Sequence, residues 1–124
     1  MRPVFVNLTP HTIVLLLPSG RRVSFPPSGT VARAVAPDGQ VDSIEVEKEQ
    51  VEVVIASPFA EVAGLPAPQP GHYYILSSIA AEAVRGRPDV LIPGTSPEDN
   101  PVRDEKGWIV AVRRFRRLRQ AQEE

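Results

Sequence analysis

The chain contains no cysteine, which excludes disulfide bridges, thiolate catalysis and cysteine-ligated metals, and fits a reducing compartment. Histidine is scarce. His11 and His72 are the only two, and they lie in separate segments without the i, i+4 spacing of a helical zinc pair. No catalytic residue, metal ligand or cofactor motif is therefore read from the sequence. Long hydrophobic runs are missing as well. Ile13–Leu17 is five residues long, far below the ~20 that cross a bilayer. No secretory pattern follows Met1-Arg2-Pro3, so the expectation is a cytoplasmic protein with no membrane partner. The formal net charge is only -1, so nucleic acid is not an expected partner of the whole molecule.

What is present is an ordinary globular composition, 42% hydrophobic and 23% charged, in 124 residues. That is one domain, expected over residues 1–119, with 120–124 as a frayed tail. Fourteen prolines punctuate the chain. Between them, short runs rich in β-branched residues read as strands. Pro3–Asn7, Thr12–Leu17 and Arg22–Phe25 suggest an antiparallel meander, with Thr12–Leu17 apolar enough for burial on both faces. Thr30–Val35, Val41–Glu47 and Glu49–Ala56 continue the pattern. Pro37-Asp38-Gly39-Gln40 is expected to be a turn and Val53-Val54-Ile55 a buried run, while Glu45, Glu47 and Glu52 form a solvated strand face. Ser57–Gly71, with four prolines, reads as a surface loop.

The second half changes rhythm. His72–Leu76 is a strand, and Ser77 or Ser78 caps a helix near residues 78–86, with Ile79, Ala83 and Ala80 inward and Gly86 at its end. Asp89–Ile92 completes a strand–helix–strand unit, a connection that usually makes its strands parallel. Gly94–Gly107 is a polar loop unable to build a core. Trp108–Val112 is the last strand, and the arginine-rich Arg113–Arg119 extends it or begins a short helix. The predicted class is α+β, a β-rich domain of seven or eight short strands with one short helix.

A strand leading into a helix exposes unpaired amides, where an anion can bind. The expected ligand-binding set therefore starts with Ser77 and Ser78 and takes in Gly94 and Thr95 after the following strand. Arg33 and Arg103 are its cations, with Asp104 able to hold Arg103 in place. Asn7, Thr9 and His11 complete it, although His11 also reads simply as the end of a turn. Ser77 and Ser78 lack the flanking glycines of a nucleophile elbow.

Several stretches together resemble an uncharacterised group of small proteins from phages, prophages and some bacteria. They are Asn7-Leu8-Thr9-Pro10-His11, Pro26-Pro27-Ser28-Gly29-Thr30-Val31-Ala32-Arg33, Tyr74-Ile75-Leu76-Ser77, Arg87-Pro88-Asp89-Val90, Pro93-Gly94-Thr95 and Val102-Arg103-Asp104-Glu105-Lys106-Gly107. The resemblance implies a phage-associated context and carries over no established activity. The basic tail after Val112 looks like an extension.

The expected function is a non-enzymatic binding protein that sequesters a small phosphorylated or nucleotide ligand, such as a cyclic nucleotide immune signal, as a homo-oligomer. One alternative is a protein-interaction module, inhibiting a host enzyme or serving as a small structural component. It draws on the proline-rich loop, Trp108 and the arginine tail. Another is a nucleotide or phosphodiester hydrolase pairing His11 with a carboxylate such as Asp104.

Overall fold

In the computed structural model, residues 2–35, 38–56 and 61–120 are described. In chain order they form β1 (Val4–Asn7), β2 (Ile13–Leu16), β3 (Arg22–Phe25), β4 (Arg33–Val35), β5 (Asp38–Val46), β6 (Glu49–Ala56), β7 (Glu61–Ala63) and β8 (His72–Ile75). Helix α1 (Ser78–Glu82) and β9 (Val90–Pro93) follow. A 3-10 turn at Pro97–Asp99 then leads to β10 (Val102–Arg103), β11 (Ile109–Ala111) and β12 (Phe115–Arg116). The fold is α+β and β-rich, with its strands in several small sheets. The described residues form twelve strands rather than seven or eight in all. Three of those beyond the expectation, β7, β10 and β12, are two or three residues long, too short for periodicity to reveal.

The centre is a four-stranded sheet in the order β1-β8-β9-β12. β1, β8 and β9 are parallel, and β12 closes the edge antiparallel to β9. The strand–helix–strand reading of β8-α1-β9 holds. The meander holds for β2 and β3, which pair antiparallel, and fails for β1. β1 leaves its neighbour in sequence and pairs with β8, Phe5 opposite Tyr73 and Val6 opposite Tyr74. The reason lies in its side chains: Phe5 and Val6 point to opposite faces and both are apolar, which suits a sheet covered on both sides.

Each face has its own core. On one, Val6, Tyr74, Leu76, Val90 and Ile92 pack with Leu8, Ala32 and the buried Ala80 and Ala81 of α1. On the other, Ile75 packs with Ile13, Val112, Leu15 and an aromatic group. There the Phe5 ring lies 5.3 Å from Phe25, 5.4 Å from Tyr73 and 6.4 Å from Phe115. The β2–β3 hairpin roofs this second face, so β2 buries Ile13 fully and leaves Val14, Leu15 and Leu16 half-buried.

Helix α1 stops at Glu82, after little more than one turn. Its small residues, Ala80 and Ala81, meet the sheet, and Ile79 is 75% exposed rather than inward. Five residues are too few for the Ile79/Ala83 spacing to define a face, and Ala83 is already the C-cap. Gly86 lies beyond the cap with φ of +95°, where its amide donates to the Leu118 carbonyl.

A different object is built by β5 and β6. They form a two-stranded antiparallel arm, about 30 Å long at the usual strand rise, that pairs Ile44 with Val51 and Asp42 with Val53. No other described element packs against it to any extent. The expected turn at Pro37–Gln40 is not where the chain reverses. Asp38–Gln40 are already strand, and Pro37 lies outside the described residues. Gly39 marks a register irregularity where any side chain would collide with the Ile55 carbonyl. The reversal is at Glu47-Lys48, both left-handed with φ of 49° and 69°, as a two-residue type I′ hairpin requires. The same two chain segments pair again as β4 and β7, against which α1 packs. Of the expected loop and tail, Ser57–Ala60 and residues 121–124 lie outside the described residues.

Candidate functional site

Parallel pairing brings the carboxyl ends of β1, β8 and β9 to one end of the sheet, where ligands commonly sit in parallel sheets. Seven of the ten expected residues come from the segments at that end: Asn7, Thr9 and His11 after β1, Ser77 and Ser78 after β8, Gly94 and Thr95 after β9. The topology gathers them. The chemistry then separates them into those consumed by the fold and those left facing water.

Asn7 is consumed. It is buried, its Nδ2 donates to the His11 and Phe25 carbonyls at 2.8 Å, and its Oδ1 accepts from the Thr9 amide at 2.9 Å and the Thr9 hydroxyl at 2.7 Å. All four hydrogen-bonding positions of the amide are filled by its own chain. This knot carries the chain out of β1 and into the β2–β3 roof. Ser77 caps α1, its hydroxyl accepting from the Ala80 amide.

Gly94 is a glycine for a packing reason. A Cβ there would lie 2.7 Å from the Arg114 carbonyl and 2.9 Å from the Asp99 carboxyl carbon. Its neighbours form a group that sequence patterning passed over. Asp99, on the 3-10 turn, has a side chain with no exposure at all. Its carboxylate accepts from Arg114 Nε at 2.6 Å, from Arg116 Nη2 at 2.8 Å, and from the Ser96 amide and hydroxyl at 3.1 and 2.7 Å. The Arg116 hydrogen bond, then those of Ser96 and Arg114, hold this carboxyl far below the ordinary carboxylate range, against the opposing effect of burial. The polar loop thus does contribute buried residues, because a charge can be buried when it is paired and hydrogen-bonded. The arginine-rich segment was visible in the sequence. Its partner, one aspartate among fifteen acidic residues, was not.

Arg103 and Asp104 close the β10–β11 hairpin and, with Trp108, line a shallow surface pocket away from the other expected residues. Asp104 Oδ1 accepts from the Lys106 and Trp108 amides, and Arg103 Nη1 donates to the Gly107 carbonyl at 2.8 Å. Arg33 lies exposed on β4, which belongs to a different two-stranded sheet.

The exposed remainder is His11, Ser78 and Thr95, with the Ser77 side chain beside them. His11 and Thr95 both line a shallow groove of about 360 Å³ between the start of β2, the Pro93–Thr95 segment and β11. Ile13, Val14, Ile109, Val110 and Val112 also line it, so its surface is mainly aliphatic. Among the described residues no cluster of three or more histidine, cysteine or carboxylate side chains could hold a metal ion. No described helix is long and apolar enough to cross a membrane.

The largest departure concerns Val53-Val54-Ile55. The run is 37–52% exposed, not buried. Register puts Ile44, Val46, Val51, Val53 and Ile55 on one face of the arm, and all five are exposed. The opposite face carries Ser43, Glu45, Gln50 and Glu52 with the exposed pair Val41 and Val54 at its base, and the Ser43 hydroxyl donates to Gln50 at 3.2 Å. The arm has one mainly apolar face, over which no second layer lies among the described residues. Comparison with protein families, with curated proteins and with solved structures finds no match to this chain. What fold and surface define together is a class: a small α+β body bearing a projecting amphipathic β-arm.

Proposed function

We propose that the chain is a non-enzymatic protein-interaction module of phage-like origin, working through its β5–β6 arm. The observation that carries this reading is the exposed stripe Ile44, Val46, Val51, Val53 and Ile55. A lone two-stranded hairpin is marginal in water, and a contiguous exposed apolar face marks a contact surface. The resemblance to phage and prophage proteins supports a role as a structural component or as an inhibitor of a host protein. The test is binding by the intact protein against a variant with Ile44 and Val53 changed to threonine, which keeps β propensity while removing apolar surface. Binding to its protein partner, itself included, is expected to weaken at least about tenfold. Equal binding by both forms would remove the reading.

A second reading is sequestration of a small anionic or nucleotide ligand. Its support is the grouping of His11, Ser78 and Thr95 at the carboxyl end of the parallel strands, with Ser77 capping the helix there. Calorimetric titration with mono-, di- and cyclic nucleotides tests it. Binding lost in Thr95→Val sustains it, and no heat across the panel removes it.

A further inference from the structure

Resting on the interaction reading, we propose that the arm's partner is a second copy of this chain. The apolar face of one arm lies over the β2–β11 groove of the next copy, with its flanking carboxylates against that copy's Arg113.

Charge selects this occupant. Between Asp38 and Ala56 the chain has six acidic residues and one lysine, a formal -5, so the rest of the molecule carries +4. Two arms stacked face to face would assemble a formal -10 around their own apolar seam. The apolar face itself is bracketed by acids, with Asp42 opposite Val53 and Glu49 opposite Val46. Such a surface repels its twin and fits an apolar floor with a basic rim.

The body offers that combination. The groove is floored by Ile13, Val14 and Val110, and at Val112 its wall runs directly into Arg113 and Arg114. The backbone fixes the other wall to the same arginines, because the Gly94 amide, between the groove-lining Pro93 and Thr95, donates to the Arg114 carbonyl at 2.9 Å. Arg114 and Arg116 are balanced by the carboxylates of Asp99 and Glu98, whereas Arg113 is exposed at the end of the groove, with only its Nε donating to the Asn100 carbonyl. Donor and acceptor surfaces are different parts of one chain. The contact is therefore head-to-tail, and each copy gives one arm and receives one, which closes as a ring or extends as a filament.

The experiment uses charge reversal on the full chain, with mass read by sedimentation velocity over a wide concentration range. One variant reverses the arm (Asp42→Lys with Glu49→Lys). The other reverses the body (Arg113→Glu), with Arg113→Gln as a milder form that removes the charge without reversing it. Circular dichroism confirms that each is folded. Wild type is expected to self-associate, more weakly at high salt. Each reversed variant alone is expected to associate at least about tenfold more weakly, and an equimolar mixture of the two to recover assembly. Three results overturn the proposal: wild type that stays monomeric, body variants that assemble like wild type, or a mixture without recovery. A monomeric wild type leaves the interaction reading to its own test, whereas arm variants that assemble unchanged and bind unchanged remove the arm from both.

Discussion

The central sheet and the arm are made of the same kinds of residue and end in opposite states. β1 and β8 read Val-Phe-Val-Asn and His-Tyr-Tyr-Ile, β6 reads Glu-Gln-Val-Glu-Val-Val-Ile-Ala, and each is β-branched or aromatic with no proline inside. In the sheet, Tyr74 and Ile75 are buried because α1 covers one face and the β2–β3 hairpin the other. In the arm, Val51, Val53 and Ile55 stay exposed because no described element packs over them. Strand pattern tells which residues pair. It does not tell whether the second layer belongs to the same chain.

Changes in the body should therefore act on stability, and changes in the arm on association. The largest stability effect is expected from Asp99→Ala, which leaves Arg114 and Arg116 crowded together and Ser96 without its acceptor. The thermal midpoint should fall by about 10 °C or more, read by calorimetry. The pH dependence has a definite sign. The folded Asp99 carboxyl titrates below its ordinary 3.8, so the folded state binds fewer protons there than the unfolded chain. Its stabilisation is present above that value and is lost as the solution is acidified below it. Asp89, lowered by its hydrogen bonds from Arg87, acts in the same direction. A wild-type midpoint that is flat at neutral pH and drops below about pH 4 is expected, with a shallower drop in Asp99→Asn.

Asn7→Ala comes next. It removes four hydrogen bonds at once and strands the buried amide of Thr9, at an expected cost of about 2–4 kcal/mol in chemical denaturation. A cost near zero would return Asn7 to the list of candidate ligand residues. The smallest effect is expected from Lys48→Gly, which relieves a left-handed non-glycine residue in the hairpin turn. It should steady the arm by about 0.5–1 kcal/mol, seen as slower hydrogen exchange in β5 and β6 with none of the body amides altered.

The sequence carried the class and most strands, since alternation, proline punctuation and the Ser77 cap are local signals. It missed what depends on distant pairing. Nothing near Val4–Asn7 says that the partner is His72–Ile75 rather than the next strand. Gly94 reads from sequence as a ligand-loop residue because the reason for it, the Asp99 carboxylate and the Arg114 carbonyl, is supplied by other segments. Asn7, Arg103 and Asp104 were visible as unusual polar residues. The choice between ligand and fold was made by hydrogen-bond partners that only three dimensions provide. The valines of β6 were taken as core because an apolar run is the same whether its cover is internal or external.

The most direct measurement on the central claim compares wild type with Ile44→Lys/Val51→Lys in thermal melting at high dilution, where only the isolated chain is present. If the stripe faces outward for a partner, the body should melt within about 0.5 kcal/mol of wild type, while association at high concentration disappears. A loss of about 2 kcal/mol or more in the dilute protein would mean that the arm packs against its own body, and would contradict the account.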